Sequence, residues 1–319
     1  MRDALNDGCQ CRPRSIDSCQ IASGAGEAFE KSTHQRLWPW HAAGALFDMR
    51  AAHRRATEGD VVKISVLGDL NVEDGGCRFT PHATKPRQLI ALLALNANHV
   101  VSKTTLIEEL WDARPPQSAV ATLQTYIFQL RMGLTYTPAC GGDRGEARKR
   151  LITKPLGYEL RLGDGEFDVL EFKAGITQAL AAAEAGRHAE AVAKYGACIA
   201  MFRGPALTDV YKGPVLQSHS RHLEELLLSA HEARVRHLLV IGRFSEAISD
   251  LSSLTVRHPL HEGLHAQMIR ALSRCGRRSE SLKFYQDIRQ RLIDEVGIEP
   301  SVALQVAQRE ALCCESYAS

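Results

Sequence analysis

The 319-residue chain has no run of about eighteen apolar residues, the length a membrane-spanning helix requires, so no membrane association is expected. It lacks a basic start followed by an apolar stretch, which argues against a secretory leader and makes the cytoplasm the default compartment. Its nine cysteines (Cys9, Cys11, Cys19, Cys77, Cys140, Cys198, Cys275, Cys313 and Cys314) are odd in number and scattered. That excludes the even, closely spaced framework of a disulfide-stapled domain. Cys9-x-Cys11 and Cys19 have no histidine partners at zinc-site spacing, so no metal is expected. Neither the G-x-x-x-x-G-K-[ST] phosphate loop nor the G-x-S-x-G nucleophile elbow is present, and a zinc-protease helix is not expected. His219, His222, His231 and His237 fall among Leu and Glu on expected helices and are read as surface residues rather than ligands. With no acid–base pair to defend, no catalytic residue and no cofactor are expected, and the chain is not read as an enzyme.

What is present divides unevenly along the chain. Residues 1–60 mix Gly, Ser, Ala and charges without period, apart from Trp38-Pro39-Trp40, and are expected to form a disordered extension, with Met49 as an alternative start. The next segment, residues 61–162, carries 13 Lys/Arg against 9 Asp/Glu, a net +4, whereas residues 163–319 carry 18 against 20. A basic excess suits a surface that faces phosphates, because binding there releases counterions.

The middle segment opens with Val62, Ile64 and Val66 alternating with Lys63 and Ser65, the period of a half-buried strand. Leu70 and Val72 resume the alternation, Asp74-Gly75-Gly76 turns the chain, and Cys77-Arg78-Phe79 returns it. Three helices are expected next. The first runs from about Pro86, placed at its first position, to Asn96. The second is capped by Ser102 and stopped by Asp112-Ala113-Arg114-Pro115-Pro116. The third runs from about Gln117-Ser118 to Leu134, and Val120, Leu123, Ile127, Leu130 and Leu134 define its buried stripe. A Gly-rich break over 140–145 is expected to be loop. Leu151–Thr153 and Tyr158–Leu160 then flank Lys154-Pro155-Leu156-Gly157 as a hairpin. Strands, three helices and a hairpin are the element order of a winged helix.

From Phe167 onward the pattern is helical. Gly186-Arg187-His188-Ala189-Glu190-Ala191, Gly242-Arg243-Phe244-Ser245-Glu246-Ala247 and Gly276-Arg277-Arg278-Ser279-Glu280-Ser281 resemble one another. The last two glycines are 34 residues apart, the tetratricopeptide period. The first is offset by 56, which predicts a helical insertion around Pro205 to Pro214. The fold class expected is therefore mainly α: a winged-helix domain over 61–162, with three helices and small antiparallel sheets, then an all-α tetratricopeptide-like domain over 167–314.

The chemistry concentrates on the third helix. Ser118, Ala121, Thr122, Thr125, Phe128, Gln129 and Met132 lie opposite its buried stripe, flanked by Gln124 and Arg131. Short hydroxyl side chains permit close approach to a groove, Gln can pair with adenine, and Thr or Ala can touch a thymine methyl. Lys154 in the hairpin, with Arg148-Lys149-Arg150 beside it, suits phosphates or the minor groove. Lys103 and Thr104 open the second helix, whose free N–H groups suit a phosphate.

These residues carry a resemblance. Pro86-Arg87-Gln88, Ala94-x-Asn96-x-Asn98-His99-Val100-Val101-Ser102, Leu106-Ile107-x-x-Leu110-Trp111, Pro115-Pro116-x-Ser118-Ala119-x-Ala121-Thr122-Leu123-Gln124-Thr125-Tyr126 and Lys154-Pro155-Leu156-Gly157-Tyr158 resemble the OmpR/PhoB-type winged helix of the Streptomyces antibiotic regulatory protein family. Phe167-Asp168, the glycine repeats, His258-Pro259-Leu260-x-Glu262 and Glu295-x-Gly297-Ile298-Glu299-Pro300 are similar to its bacterial transcriptional activator domain. The resemblance implies activation of a secondary-metabolite gene cluster, binding to direct repeats in double-stranded promoter DNA as a homodimer, and recruitment of RNA polymerase. It places Arg87, Lys103, Thr104, Ser118, Thr122, Gln124, Thr125, Gln129, Arg131 and Lys154 toward DNA, and Asp112, Ala113, Arg114, Pro115 and Pro116 toward the polymerase. It also implies cytoplasmic, nucleoid-associated action. The alternative is a helical-repeat adaptor whose winged helix binds protein instead of DNA.

Overall fold

The computed structural model describes residues 62–74, 77–112 and 114–313. The expected extension 1–60, with Trp38-Pro39-Trp40 and Met49, lies outside them, as do Gly75, Gly76 and Ala113. Strands β1 (Lys63–Ser65), β2 (Asn71–Asp74) and β3 (Cys77–Arg78) form an antiparallel sheet in that order, with Ile64 opposite Val72. The alternation seen in the sequence puts Val62, Ile64, Val66 and Val72 in the core.

Helix α1 (Thr84–Leu95) begins two residues before the expected start, so Pro86 occupies its third position. That is still inside the first turn, where a missing N–H leaves no hydrogen bond unmade. Helix α2 (Lys103–Trp111) is capped as expected: Thr105 N donates to Ser102 Oγ at 3.0 Å. Helix α3 (Ala119–Thr135) buries Leu123, Ile127, Leu130 and Leu134, but Val120 is 49% exposed. Ala119, four residues before Leu123, takes the buried place expected of Val120.

The Gly-rich break is more ordered than expected. After a single 3-10 turn at Pro138–Cys140, helix α4 (Arg144–Arg150) is capped by Asp143, so Arg148-Lys149-Arg150 form its last turn rather than a loop. Cations there complement the negative end of the helix dipole. Strands β5 (Leu151–Thr153) and β6 (Gly157–Leu160) make the expected hairpin. An additional strand, β4 (Val100–Ser102), pairs with β6 and gives the sheet order β4-β6-β5. Gly157 allows that pairing: a Cβ on it would sit 1.8 Å from the Val101 carbonyl oxygen.

The remainder is helical: α5 (Asp168–Glu184), α6 (His188–Ala200), α7 (Pro214–Val240), α8 (Phe244–Arg257), α9 (Glu262–Arg274), α10 (Arg278–Val296) and α11 (Val302–Cys313). The structure explains the repeated text residue by residue. Gly186, Gly242 and Gly276 all adopt positive φ (72°, 77° and 78°), ending α5, α7 and α9. The next residue closes the turn each time: Arg187 N to Ala182 O, Arg243 N to Leu238 O and Arg277 N to Leu272 O, all 2.9 Å. Each Arg side chain pairs with the Glu three residues on, Glu190, Glu246 or Glu280. The final Ala191, Ala247 or Ser281 is fully buried.

The 56-residue offset has a different origin from the helical insertion expected. Segment 201–213 is non-helical, and its backbone is bound to the loop after β1: Arg203 N to Leu67 O at 2.9 Å and Leu207 N to Val66 O at 3.0 Å. The long α7, of 27 residues, supplies the rest of the offset. The histidine expectation also needs correction. His219, His231 and His237 are half-buried because α7 is packed along its length by α6, α8, α1 and α2. Burial, aided by Arg234 and Arg257, lowers His231 to about 4, so its ring is neutral near neutral pH.

The winged helix and the helical region share one core, in which Phe167, Phe172, Leu207 and Leu216 pack with Ile64, Leu89 and Leu106. Polar groups fasten the same seam. Asp168 accepts from Val66 N and Leu67 N at 2.9 and 3.0 Å. Glu109 of α2 accepts from Gly213 N, Val215 N and Leu216 N at 2.7, 2.8 and 3.1 Å, capping α7 from another part of the chain. Burial raises the Glu109 carboxyl pKa, and these three amides pull it back.

Glu109→Ala leaves those buried donors without their acceptor and is expected to lower the free energy of unfolding by about 3 kcal/mol, read by urea titration. An unchanged midpoint would show that the seam holds without this cap. Gly157→Ala must part β4 from β6. It should lower the melting temperature and speed amide exchange at Lys103, whose N–H donates to Leu156 O beside the β4–β6 pair; wild-type protection at that amide would contradict the required close approach.

Candidate nucleic-acid interface

Helix α3 is gripped on one side by α1 and α2 and left open on the other. Tyr126 stacks on Trp111 of α2 with ring centroids 6.4 Å apart, and Lys85 Nζ lies 5.3 Å over the Trp111 ring. This fixes the rotation of α3 about its axis. The exposed residues opposite are Ala121, Gln124, Thr125 and Phe128, which share a face at the i, i+3, i+4, i+7 spacing. Ser118 is exposed at the start of the helix and makes no capping bond with its side chain. Thr125 Oγ1 donates to Ala121 O at 3.1 Å, which orients its hydroxyl. Thr122, Gln129 and Met132, expected on this face, are half-buried at its edges, and Gln129 Oε1 is buried with no partner among the described residues.

The cations are redistributed relative to the expectation. Arg131 does not project from the face. Its Nε and Nη2 donate to Leu151 O at 2.9 and 2.7 Å, and Nη2 also donates to Thr153 Oγ1 at 2.8 Å. It therefore ties the hairpin to α3, and burial lowers its pKa. Arg87 is likewise engaged within the protein. Its guanidinium donates to Pro81 O at 3.0 Å and pairs with Asp209, whose other oxygen accepts from Leu70 N at 2.8 Å. Arg87 belongs to the seam because the segment carrying Asp209 folds back onto α1. Lys154 is half-buried, with Nζ 3.2 Å from Glu159 Oε2, and Glu159 also receives Arg161. These two cations hold the Glu159 carboxyl below the usual carboxylate range.

The structure nevertheless brings the expected elements together. Lys103 N donates to Leu156 O at 3.0 Å, so the hairpin tip rests on the start of α2 beside exposed Thr104. The tip itself is apolar, with Leu156 78% exposed. Helix α4 packs against α3 and β5 and presents Arg144, Arg148 and Lys149 to solvent. Asp112, Arg114, Pro115 and Pro116 are exposed between α2 and α3, and Asp112 takes a positive φ of 54°. Ala113, part of the same expected turn, lies outside the described residues.

One motif needs correction. His261-Glu262-Gly263-Leu264-His265 does have H-E-x-x-H spacing, the text of a zinc-protease helix. In the structure His261 precedes α9 as its cap, with Nδ1 accepting from Leu264 N at 3.3 Å, and His265 Nε2 lies 2.9 Å from Pro259 O. The two rings thus serve local backbone groups. Among the described residues no group of three His, Cys, Asp or Glu is placed to hold a metal ion.

Comparison with known proteins bears on both halves. Residues 80–141 match the family described as transcriptional regulatory protein, C terminal, and residues 167–312 match the bacterial transcriptional activator domain. The chain is 39% identical over 251 residues to the regulatory protein DnrI of Streptomyces peucetius, covering 79% of this chain and 92% of that protein. It is 31% identical over 256 residues to the regulatory protein AfsR of Streptomyces coelicolor, covering 80% of this chain but only 24% of that longer protein. The solved structure of Mycobacterium tuberculosis EmbR, in complex with a low-affinity phosphopeptide, superposes with a TM-score of 0.74 at 31% identity, covering 79% of this chain and 65% of that one. A winged helix and an activator domain in this order, matched across nearly all of DnrI, show that the chain belongs to the Streptomyces antibiotic regulatory protein family of transcriptional activators.

Proposed function

We propose that this activator sets α3 in the major groove of promoter DNA and switches on a secondary-metabolite gene cluster. The observation that carries the reading is the uncharged exposed face Ala121-Gln124-Thr125-Phe128, on a helix whose other side is buried and whose neighbouring hairpin is tied down by Arg131. Such a face fits base edges, and Ala121 and Thr125 permit close approach. Ser118, Thr122 and Gln129 border the contact. Lys103, Thr104 and the exposed cations of α4 meet phosphates on either side, which fix register without reading sequence. Lys154 contributes charge near the backbone while remaining paired to Glu159. Residues 61–162 act as the reader and residues 167–314 as the activator domain. Two copies bind direct repeats, and the turn at residues 112–116 faces RNA polymerase. The site of action is the nucleoid, in the cytoplasm.

The test is a titration of the full chain against promoters of neighbouring genes at two salt concentrations, with scrambled duplexes as controls. One promoter should be preferred, with affinity that falls as salt rises. Gln124→Ala and Thr125→Ala should each erode that preference by about 1–3 kcal/mol per misread base pair. Equal binding to every duplex, or none, would favour the protein-binding adaptor.

A further inference from the structure

Phe128 is the least expected member of the reading face. It is 61% exposed in the middle of α3, whereas the nearby aromatics Tyr126 and Trp111 are stacked on each other. It lies three residues from Thr125, four from Gln124 and seven from Ala121, so these side chains form one continuous strip. Along the whole of α3 the single charged residue is Arg131, and its guanidinium is held by Leu151 O and Thr153 Oγ1. The strip therefore offers two small apolar or methyl-bearing groups, one amide and one large ring, with no cation reaching past them.

In the major groove, the apolar feature presented by a base edge is the C5-methyl of thymine. An exposed ring beside Ala121 and the Thr125 methyl is chemically matched to that group. The ring gains by covering a methyl that water otherwise surrounds. We infer that Phe128 is a specificity-determining residue that selects thymine by packing on its C5-methyl, with Ala121 and Thr125 lining the same apolar contact. The inference rests on the major-groove reading of α3 proposed above. It leaves other positions of the site to Gln124 and the flanking polar groups.

The experiment begins with selection of binding sites from a library of random duplexes by the full chain. Each thymine of the selected site is then replaced singly by deoxyuridine, which removes the methyl and leaves the hydrogen-bonding edge unchanged. The wild-type chain should bind about four-fold more weakly at one or more of these positions, the loss corresponding to one buried methyl. Phe128→Ala, whose fold is monitored by its melting curve, should bind the thymine and deoxyuridine duplexes equally at that position. If Phe128→Ala binds too weakly to titrate, Phe128→Gln keeps side-chain reach and should likewise lose the methyl dependence.

If no sequence is enriched, the major-groove reading itself fails and this inference goes with it. If a site is enriched but every deoxyuridine substitution is neutral, the reading stands and thymine selection by Phe128 is overturned. Methyl dependence of wild-type size at the same base in the Phe128 variant also overturns it, and transfers the contact to Ala121 or Thr125.

Discussion

The seating of the Glu109 carboxylate on the start of α7 is the constraint on which the rest of the molecule depends. A buried carboxylate is costly unless its lone pairs are met, and the first turn of a helix has amides that need acceptors. Placing one against the other satisfies both, with three amides within 3.1 Å of the carboxylate. Gly213 makes the approach possible, since a Cβ there would lie 2.4 Å from the Glu109 carbonyl oxygen. Asp168 and Asp209 repeat the device along the same seam, each accepting from backbone amides of the first sheet or the loop beside it. These three carboxylates, of which Glu109 is buried, thus join two parts of the chain that also share a hydrophobic core. The orientation of α3 relative to the helical region is consequently fixed by packing rather than left to a linker.

That rigidity changes what the charged residues do. A winged helix gains affinity from every cation directed at phosphate, yet Arg87, Arg131 and Lys154 are all engaged within the protein. Arg131 holds β5 against α3, and Lys154 with Arg161 neutralises Glu159 on the strand that anchors the hairpin. The exposed charge near α3 passes to Arg144 and Arg148 on α4, while Lys149 pairs with Glu146 at 2.6 Å. The geometry of the outer face of α3 is held by cations it does not expose, and what it exposes is apolar, hydroxyl and amide chemistry.

The helical region shows why some of its architecture was readable from text. In G-R-x-x-E-A the glycine must take positive φ, the Arg amide closes the turn, the Arg and Glu side chains pair across one helical turn, and the small residue lets helices meet. All four requirements are local, so they leave a local signature in the sequence. The same holds for the Ser102 cap and for the stripe Leu123, Ile127, Leu130 and Leu134. The segment 201–213 has no such signature, because its backbone partners, Val66 and Leu67, are more than 130 residues away.

The sequence by itself determined the first sheet, three helices and hairpin of the winged helix (though not β4 or α4), the repeat that builds the helical region, and the core of the α3 face that turns outward, since helix and strand periods are set by neighbours a few residues apart. Tertiary structure alone decided which cations are free. Arg87 meets Asp209 across 122 residues and Arg131 meets Thr153 across 22, and a guanidinium in the sequence carries no mark of the carboxylate or carbonyl that folding will bring to it. The capping of α7 by Glu109, 104 to 107 residues earlier, was hidden for the same reason. Periodicity is written in adjacent residues, whereas satisfaction of a buried polar group depends on what the folded chain places beside it.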